Sequence, residues 1–141
     1  MQHPANSQLL ERLCQATDRL RSSAELPELV MEMERLGITH CHTYLADGST
    51  CYYGPGFFRL EGPAKWSWSP VSDVPDAHML AHALELHHAG RTDRDMFLRQ
   101  AADAGVEVFT THVSDRSITF LDSEGHVMVV EPVVAPAARY N

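Results

Sequence analysis

Histidine and tyrosine alternate along one short stretch of the chain, where single residues separate His40, His42 and Tyr44. This spacing is typical of a β-strand, because every second side chain of a strand lies on the same face of the sheet. Imidazole and phenol groups accept, donate and transfer protons, the imidazole near neutral pH. The pattern therefore predicts a strand face that can carry acid–base chemistry.

The residues that follow predict a facing strand with further reactive groups. An Asp47-Gly48 pair between two apolar or aromatic segments indicates a two-residue hairpin turn. In that register Tyr44 faces Cys51, and His42 faces Tyr53. The hairpin thus predicts one face of imidazole, phenol and thiol groups, which includes His40.

A later hairpin, predicted to turn at Asp115-Arg116, contributes His112 to the same kind of face. Between the two hairpins, residues 61–75 form a long proline-rich connection that contains Trp66 and Trp68, and such connections are often lids or binding loops. We expect this loop to roof the face. The candidate catalytic residues are His42, His112 and Tyr44, and the candidate ligand-binding residues are Tyr53, Cys51, His40, Trp66 and Trp68.

Two kinds of function remain open, beside a purely structural interpretation of the same residues. A small-molecule-binding domain, or a cofactor-free acid–base enzyme of the isomerase, cyclase or lyase type, would use this face directly. A protein-interaction or assembly module would bury the same face or a strand edge against another chain. Antiparallel strands also favour Thr, Tyr and His on their solvent side without any function.

A metal site is the weaker alternative. His40-x-His42 has the spacing of two ligands on one strand, and His112 or Cys51 could be a third ligand of zinc or iron. No carboxylate obviously completes that set, so we assign no metal. No glycine-rich phosphate loop, serine nucleophile elbow or paired zinc-type cysteines occur, and no cofactor is predicted.

The elements that must position these residues occur twice in the sequence. Helix, glycine and strand positions of the first half recur 68 positions later with similar residues: Leu29, Val30, Met33, Leu36, Gly37 and Ile38 correspond to Phe97, Leu98, Ala101, Ala104, Gly105 and Val106. We therefore predict an α+β fold built from a duplicated α-α-β-β-β unit with pseudo-two-fold symmetry. Its antiparallel sheet would have the helices packed on one face. A ligand site where the two halves meet is a common arrangement in such folds.

The predicted elements have the following bounds. The first helix is capped by Asn6 and ends near Arg21, and the second begins around Pro27 and ends at Gly37. In the second half, Asp76 caps a helix that ends at Gly90, and Thr92-x-x-Asp95 indicates a capping box for a helix that ends at Gly105. Strands are predicted at 38–45, 49–53, 57–60, 106–113, 117–121 and 126–131.

These elements form one domain, 1–141. It consists of two repeats at about 6–60 and 76–131, the connecting loop 61–75 and a tail at 132–141. The core is predicted on the face opposite the histidines, which carries Cys41, Thr43, Leu45, Thr50 and Tyr52 in the first hairpin and Phe109, Val113, Ile118 and Phe120 in the second.

Composition excludes several classes of partner. A formal charge of -8 over 141 residues disfavours nucleic acid and anionic membrane surfaces, since phosphate contacts need clustered Lys and Arg. The three cysteines are an odd number, and no apolar run reaches membrane-spanning length. These features predict a cytoplasmic protein, and a homo-oligomer is compatible with them.

Short motifs within about residues 25–133 resemble those of the YbcV-like proteins, a family of unknown function whose members are often labelled phage envelope protein. The matching stretches are Leu36-Gly37-Ile38-Thr39-His40-Cys41-His42, Thr50-Cys51-Tyr52-Tyr53-Gly54-Pro55, Phe97-Leu98 and Ala104-Gly105-Val106-Glu107. They combine glycine turns with core positions. The resemblance therefore implies a fold more than an activity.

Overall fold

A computed structural model describes residues 4–20 and 23–134 of the chain. In these ranges four α-helices occur, with a short 3-10 helix at Ser23–Glu25: α1 Pro4–Asp18, α2 Leu26–Arg35, α3 Ala77–His88 and α4 Arg94–Asp103. The strands are β1 His40–Tyr44, β2 Thr50–Tyr53, β3 Arg59–Glu61, β4 Val108–His112, β5 Ser117–Leu121 and β6 Val127–Pro132.

The strands form one six-stranded antiparallel sheet in the order β3-β2-β1-β4-β5-β6. The α+β class is therefore confirmed. The central pair, β1 and β4, sets His42 opposite Thr110, and these two residues lie 68 positions apart, the offset of the predicted repeat. A two-fold axis between the halves would require such a register, and the duplication itself stays a prediction.

Gly37 and Gly105 end their helices as predicted. Both have a positive φ, of 86° and 96°, which L-residues with a Cβ rarely adopt. The next residue in each case donates its N–H back to the helix, from Ile38 to the Met33 carbonyl at 2.9 Å and from Val106 to the Ala101 carbonyl at 3.0 Å. This hydrogen-bond pattern is the Schellman motif, which turns the chain directly from helix to strand.

The helix beginnings agree with the sequence in part. Asp76 caps α3, accepting from the Met79 N–H at 3.0 Å. The capping box at Thr92 is wrong, because the Asp93 carboxylate caps α4 by accepting from the Met96 N–H at 2.8 Å. The Thr92 side chain is buried instead.

The limits of α1 also differ from the prediction. The helix begins at Pro4, before the expected cap at Asn6, and ends at Asp18 rather than near Arg21. Arg21 itself lies outside the described residues.

Both hairpins have a register shifted by two residues from the predicted one. His42 faces Cys51 rather than Tyr53, and His40 faces Tyr53. The reason is a wider turn, in which Tyr44 and Ser49 close the ladder and the Gly48 N–H bonds the Tyr44 carbonyl at 2.8 Å. A shift of two residues leaves every side chain on its predicted face, whereas a shift of one would have reversed the faces.

The core lies on the face of the sheet that was predicted to be buried. One hydrophobic cluster joins α3 and α4 to the sheet through Phe109, Ile118 and Phe120. A second cluster joins α1 and α2 to the sheet through Cys41, Tyr52 and Leu60. The packed helices therefore lie on this side, which we call the helical side, and the histidines lie on the other, the open side.

Two strand predictions need correction. The third strand was expected at 57–60, but Phe57 has a φ of 65° and is fully exposed, so β3 begins only at Arg59. The tail was expected from Pro132, but Pro132 still belongs to β6, where it pairs with Ser117. Residues 135–141 of the predicted tail lie outside the described residues.

Candidate functional site

The open side of β1, β2 and β4 gathers six of the predicted site residues, His40, His42, Tyr44, Cys51, Tyr53 and His112, which we call the imidazole face. Strand alternation puts His40, His42 and Tyr44 on one side of β1. Cross-strand pairing then brings Tyr53 opposite His40 and Cys51 opposite His42, while β4 sets His112 opposite His40. The structure thus places these side chains on a common face.

Three rings of the imidazole face pack against one another. His40 stacks on Tyr53 with ring centroids 4.7 Å apart and planes inclined by only 2°. The His42 ring meets both of them edge-on, at 5.2 Å from Tyr53 and 5.5 Å from His40. Such contacts stabilise a sheet by themselves, so the packing of these rings does not require a ligand.

His42 is the half-buried imidazole at the centre of this arrangement. Its Nδ1 lies 2.8 Å from the Thr110 hydroxyl, which holds the ring in one orientation. Burial, and to a smaller extent the neighbouring His40 and His112, lower the pKa of His42. The imidazole is therefore neutral at neutral pH, the form that can accept a proton.

The other polar groups of the imidazole face are less suited than His42 to take part in catalysis. The His112 Nε2 lies 3.3 Å from the Thr119 hydroxyl. Burial and the nearby Tyr53 and Cys51 raise the pKa of Tyr44, so its phenol stays protonated at neutral pH. The Cys51 side chain is only 6 % exposed, which limits its use as a nucleophile.

The sequence analysis did not predict that two charged residues belong to this region. Arg59 and Glu61 lie on the open side of β3, opposite Tyr53 and Cys51, and they form an ion pair with each other. A hydrogen bond to Tyr53, with the thiol of Cys51 and the carboxylate of Glu61, raises the pKa of Arg59. The sequence signal was present, since Arg-Leu-Glu alternates around the buried Leu60.

Trp66 and Trp68 do not roof the imidazole face, and that expectation is wrong. The connecting loop is fixed to the first hairpin turn, where the Asp47 carbonyl accepts from the Lys65 N–H at 2.7 Å and the Ala46 carbonyl accepts from the Ser69 N–H at 2.7 Å. Trp66 then packs against the cluster of α3 and α4 on the helical side. An indole buries more apolar surface there than it would against imidazoles on the open side.

The tryptophan loop instead forms one wall of a cleft of about 880 Å³, which we call the helix-side cleft. The other walls are the end of α1, the first hairpin and one face of α4. Its lining residues are Thr17, Asp18, Leu20, Thr43, Leu45, Gly48, Thr50, Lys65, Trp66, Ser67, Trp68, Ser69, Pro70, Arg94, Asp95, Leu98, Arg99, Ala102 and Asp103. The cleft therefore lies between elements of the first and second halves of the chain.

The polar groups of the cleft come from different elements. Two buried strand hydroxyls, of Thr43 and Thr50, lie 3.0 Å apart at its floor. At the rim, the Lys65 ammonium binds the Asp18 carboxylate at 2.8 Å. Arg94, the first residue of α4, is half-buried, and burial lowers the pKa of its guanidinium. The cleft thus combines indole rings, hydroxyls and a half-buried cation.

Within residues 4–20 and 23–134, no three His, Cys, Asp or Glu side chains converge as ligands of a metal ion would. None of the described helices is long and apolar enough to cross a membrane.

A comparison with protein-family profiles identifies the family of this chain. The profile of DUF1398, described as a protein of unknown function, matches residues 14–132. The chain therefore belongs to this uncharacterised family, whereas the narrower YbcV-like resemblance remains a resemblance. A search of the curated proteins finds no significant match.

Proposed function

We propose that this member of the DUF1398 family is a small-molecule-binding domain whose ligand occupies the helix-side cleft. One observation carries the proposal: a concave volume of about 880 Å³ combines two indole rings and several aliphatic side chains with hydroxyl and charged groups from α1, the first hairpin, the tryptophan loop and α4. Ligand sites in proteins are concave, have volumes in this range and combine apolar surface with polar groups that fix the orientation of the ligand.

The walls favour the cleft over the imidazole face as the place of binding. Neither hydrophobic cluster includes a residue of the imidazole face, and Tyr44 is 38 % exposed there. A ligand on that face would keep much of its surface in water. In the cleft, by contrast, a ligand would lie between α4 and the tryptophan loop and would contact protein on two sides, so more apolar surface would leave water.

Tryptophan fluorescence tests the proposal directly. Trp66 and Trp68 are the only two tryptophans of the chain, and both line the cleft. We expect saturable quenching or a spectral shift when the protein is titrated with members of a panel of small neutral, anionic and cationic aromatic compounds. The Trp66→Phe and Trp68→Phe variants would then show which ring reports the binding.

Failure of the proposal has a clear signature. If no compound in the panel changes the emission or the melting temperature at millimolar concentration, the cleft is not a ligand site. Concentration-dependent self-association in sedimentation, together with that result, would support the alternative of an interaction module.

Acid–base catalysis at the imidazole face is a second candidate, favoured by the geometry of His42. A neutral imidazole fixed through Nδ1 on a threonine hydroxyl is suited to act as a general base. His112 would return the proton, Tyr44 would orient the substrate, and His40, Cys51 and Tyr53 would contact it. Arg59 and Glu61 extend this set to the neighbouring strand.

Exchange of carbon-bound hydrogen tests the catalytic candidate. An isomerase, cyclase or lyase of this kind exchanges a substrate proton with solvent, so compounds that bind should be incubated in deuterium oxide and followed by NMR. We expect His42→Ala to slow such exchange about a hundredfold or more. Exposed His78 on α3 provides the matched control, His78→Ala. Exchange at the wild-type rate in His42→Ala would show that His42 has no role in the mechanism. Loss of exchange after dialysis against a chelator, with recovery on addition of zinc or iron, would instead indicate that His40 and His42 are metal ligands.

A further inference from the structure

We infer that the ligand of the helix-side cleft is a small carboxylic acid with a planar ring, and that the Arg94 guanidinium binds its carboxylate. The inference rests on the proposed function and names the ligand class for the same cleft. It begins from the position of one cation. Arg94 is the first residue of α4, and its side chain lies near Asp18 of α1 and near Cys41 and Tyr52 of the sheet.

This cation has no partner in the part of the chain that the structure describes. The Arg94 guanidinium forms neither an ion pair nor a hydrogen bond with any residue in 4–20 or 23–134. A half-buried charge loses part of its hydration, and that loss is usually compensated by an opposite charge. An arginine also cannot escape by losing its proton, because its pKa stays far above neutral.

The carboxylates of Asp95 and Asp18 act on the Arg94 guanidinium from a distance, but neither forms a direct ion pair with it among the described residues. Burial raises the pKa of Cys41 to about 11 and that of Tyr52 to about 12, so both are neutral at physiological pH. Asp18 already binds the Lys65 ammonium at 2.8 Å. Asp95 lies next to Arg94 in sequence, but it is exposed and forms no ion pair with it among the described residues. An anionic ligand would supply the charge.

The remaining lining selects the kind of anion. A carboxylate matches a planar guanidinium through two parallel hydrogen bonds. The lining as a whole carries three cationic side chains and three carboxylates, so it suits a singly charged anion better than a highly charged one. The Thr43 and Thr50 hydroxyls can bind a polar substituent at the floor. Trp66 and Trp68 offer flat apolar surfaces for a ring.

A matched set of probes separates charge from shape. Benzoate, benzamide and benzylamine share a ring and differ in charge, and each is titrated while the emission of Trp66 and Trp68 is followed. We expect benzoate to bind at least tenfold more tightly than benzamide, and benzylamine to bind most weakly. Hydrogen bonds to charged groups are strong enough for a difference of this size.

Substitution of Arg94 is the second arm of the experiment. Arg94→Leu introduces the residue type that the predicted repeat places at the corresponding position, Leu26. We expect it to weaken benzoate binding about tenfold to a hundredfold and to leave benzamide binding within about twofold. Arg94→Lys keeps the charge without the planar fork, and we expect an intermediate loss. Arg91→Leu, an exposed arginine outside the cleft, is the control.

The outcomes distinguish the two levels of the proposal. Preferential benzoate binding that is lost in Arg94→Leu and kept in Arg91→Leu would support the inference. Equal binding of benzoate and benzamide, or benzoate binding unchanged in both Arg94 variants, would overturn it and leave a neutral-ligand cleft. If none of the three probes binds to the wild-type protein at millimolar concentration, the carboxylate assignment fails as well. The titrations with the larger panel of aromatic compounds then show whether the cleft binds any small molecule. If Arg94→Leu does not fold, Arg94→Lys decides.

Discussion

The two sides of the sheet are made by alternate residues of the same strands, yet they differ in what they offer a ligand. On the open side, His40, His42 and Tyr53 pack ring against ring. On the helical side, Thr43 and Thr50 form the floor of a cleft walled by α4 and the tryptophan loop.

The helical side provides walls around a ligand, and the open side provides a group that can accept a proton. The open side carries a neutral imidazole, whereas the helical side has walls and a cation but keeps its thiol and phenol protonated. The residue types alone favour the open side as the ligand site. The shape of the molecule favours the helical side, because a bound ligand must be able to transfer surface out of water.

The largest difference is expected between two adjacent tyrosines. Tyr52 is buried on the helical side, with its hydroxyl 3.4 Å from that of Thr17, and Tyr53 lies on the open side against His40. Tyr52→Ala should lower the free energy of unfolding by about 3–5 kcal/mol, because a large core side chain is removed. Tyr53→Ala should lower it by only about 1 kcal/mol, the scale of an aromatic pair. Urea unfolding measures both, and equal losses would contradict the assignment of sides.

A glycine at the hairpin turn gives the next effect. Gly48 has a φ of 74°, and a Cβ there would come within 2.6 Å of the Trp66 indole. Gly48→Ala should therefore cost the left-handed backbone strain, about 1 kcal/mol, and roughly 1 kcal/mol more for displacement of the ring. It should also change the tryptophan emission, since Trp66 would leave its place in the cleft.

Gly56 provides the control for that substitution. Its φ is 68°, and a Cβ there would meet nothing within 4 Å. Gly56→Ala should thus show the backbone cost alone, with unchanged tryptophan emission. If both variants lose the same stability and keep the wild-type spectrum, Trp66 does not pack on the turn.

A pH titration distinguishes the imidazole of the open side. Because the folded pKa of His42 is lowered, the unfolded chain binds more protons below about pH 6.5, the ordinary histidine value. The free energy of unfolding should therefore fall as the pH falls through that value and level off below the folded pKa. The pKa of the buried His87 is also lowered, mainly by burial, and it contributes a slope of the same sign.

Two variants isolate the contribution of His42. His42→Gln should flatten the pH dependence, while His78→Gln, on the exposed face of α3, should leave it as in the wild type. Ring-proton NMR should give His42 a midpoint below the ordinary histidine value. A midpoint above neutral pH would mean that most of the imidazole is charged at neutral pH and is not available as a base.

Several of these structural features could be predicted from the sequence. The face of each hairpin residue followed from alternation alone, and it survived a register error of two residues. The helix ends at Gly37 and Gly105 also followed, because a positive φ after a helix is a local requirement. Local rules were sufficient for these elements.

The features that the sequence did not reveal depend on packing between distant segments. Trp66 could be placed on a loop, but which side of the sheet that loop covers is decided by hydrogen bonds to the turn at Asp47. Arg94 looked like an ordinary first-turn residue of α4. Only the assembled structure shows that its side chain lines a cleft between α1, the first hairpin and α4.

The smallest effect is expected at two threonines that bind the histidines of the open side. The Thr110 hydroxyl is buried and lies 2.8 Å from the His42 Nδ1, whereas the Thr119 hydroxyl is partly exposed and lies 3.3 Å from the His112 Nε2. Thr→Val keeps the shape and the strand preference of the side chain and removes only the hydroxyl. Thr110→Val should therefore lower the free energy of unfolding by about 1 kcal/mol, because it leaves a half-buried ring nitrogen without its partner. Thr119→Val should change the free energy of unfolding by no more than about 0.5 kcal/mol, because water can replace the longer hydrogen bond. Nitrogen NMR of the His42 ring should also report a changed tautomer balance in Thr110→Val alone. If that balance and the stability are unchanged, Thr110 does not orient His42, and the geometric argument for a general base on the open side is lost while the cleft is unaffected.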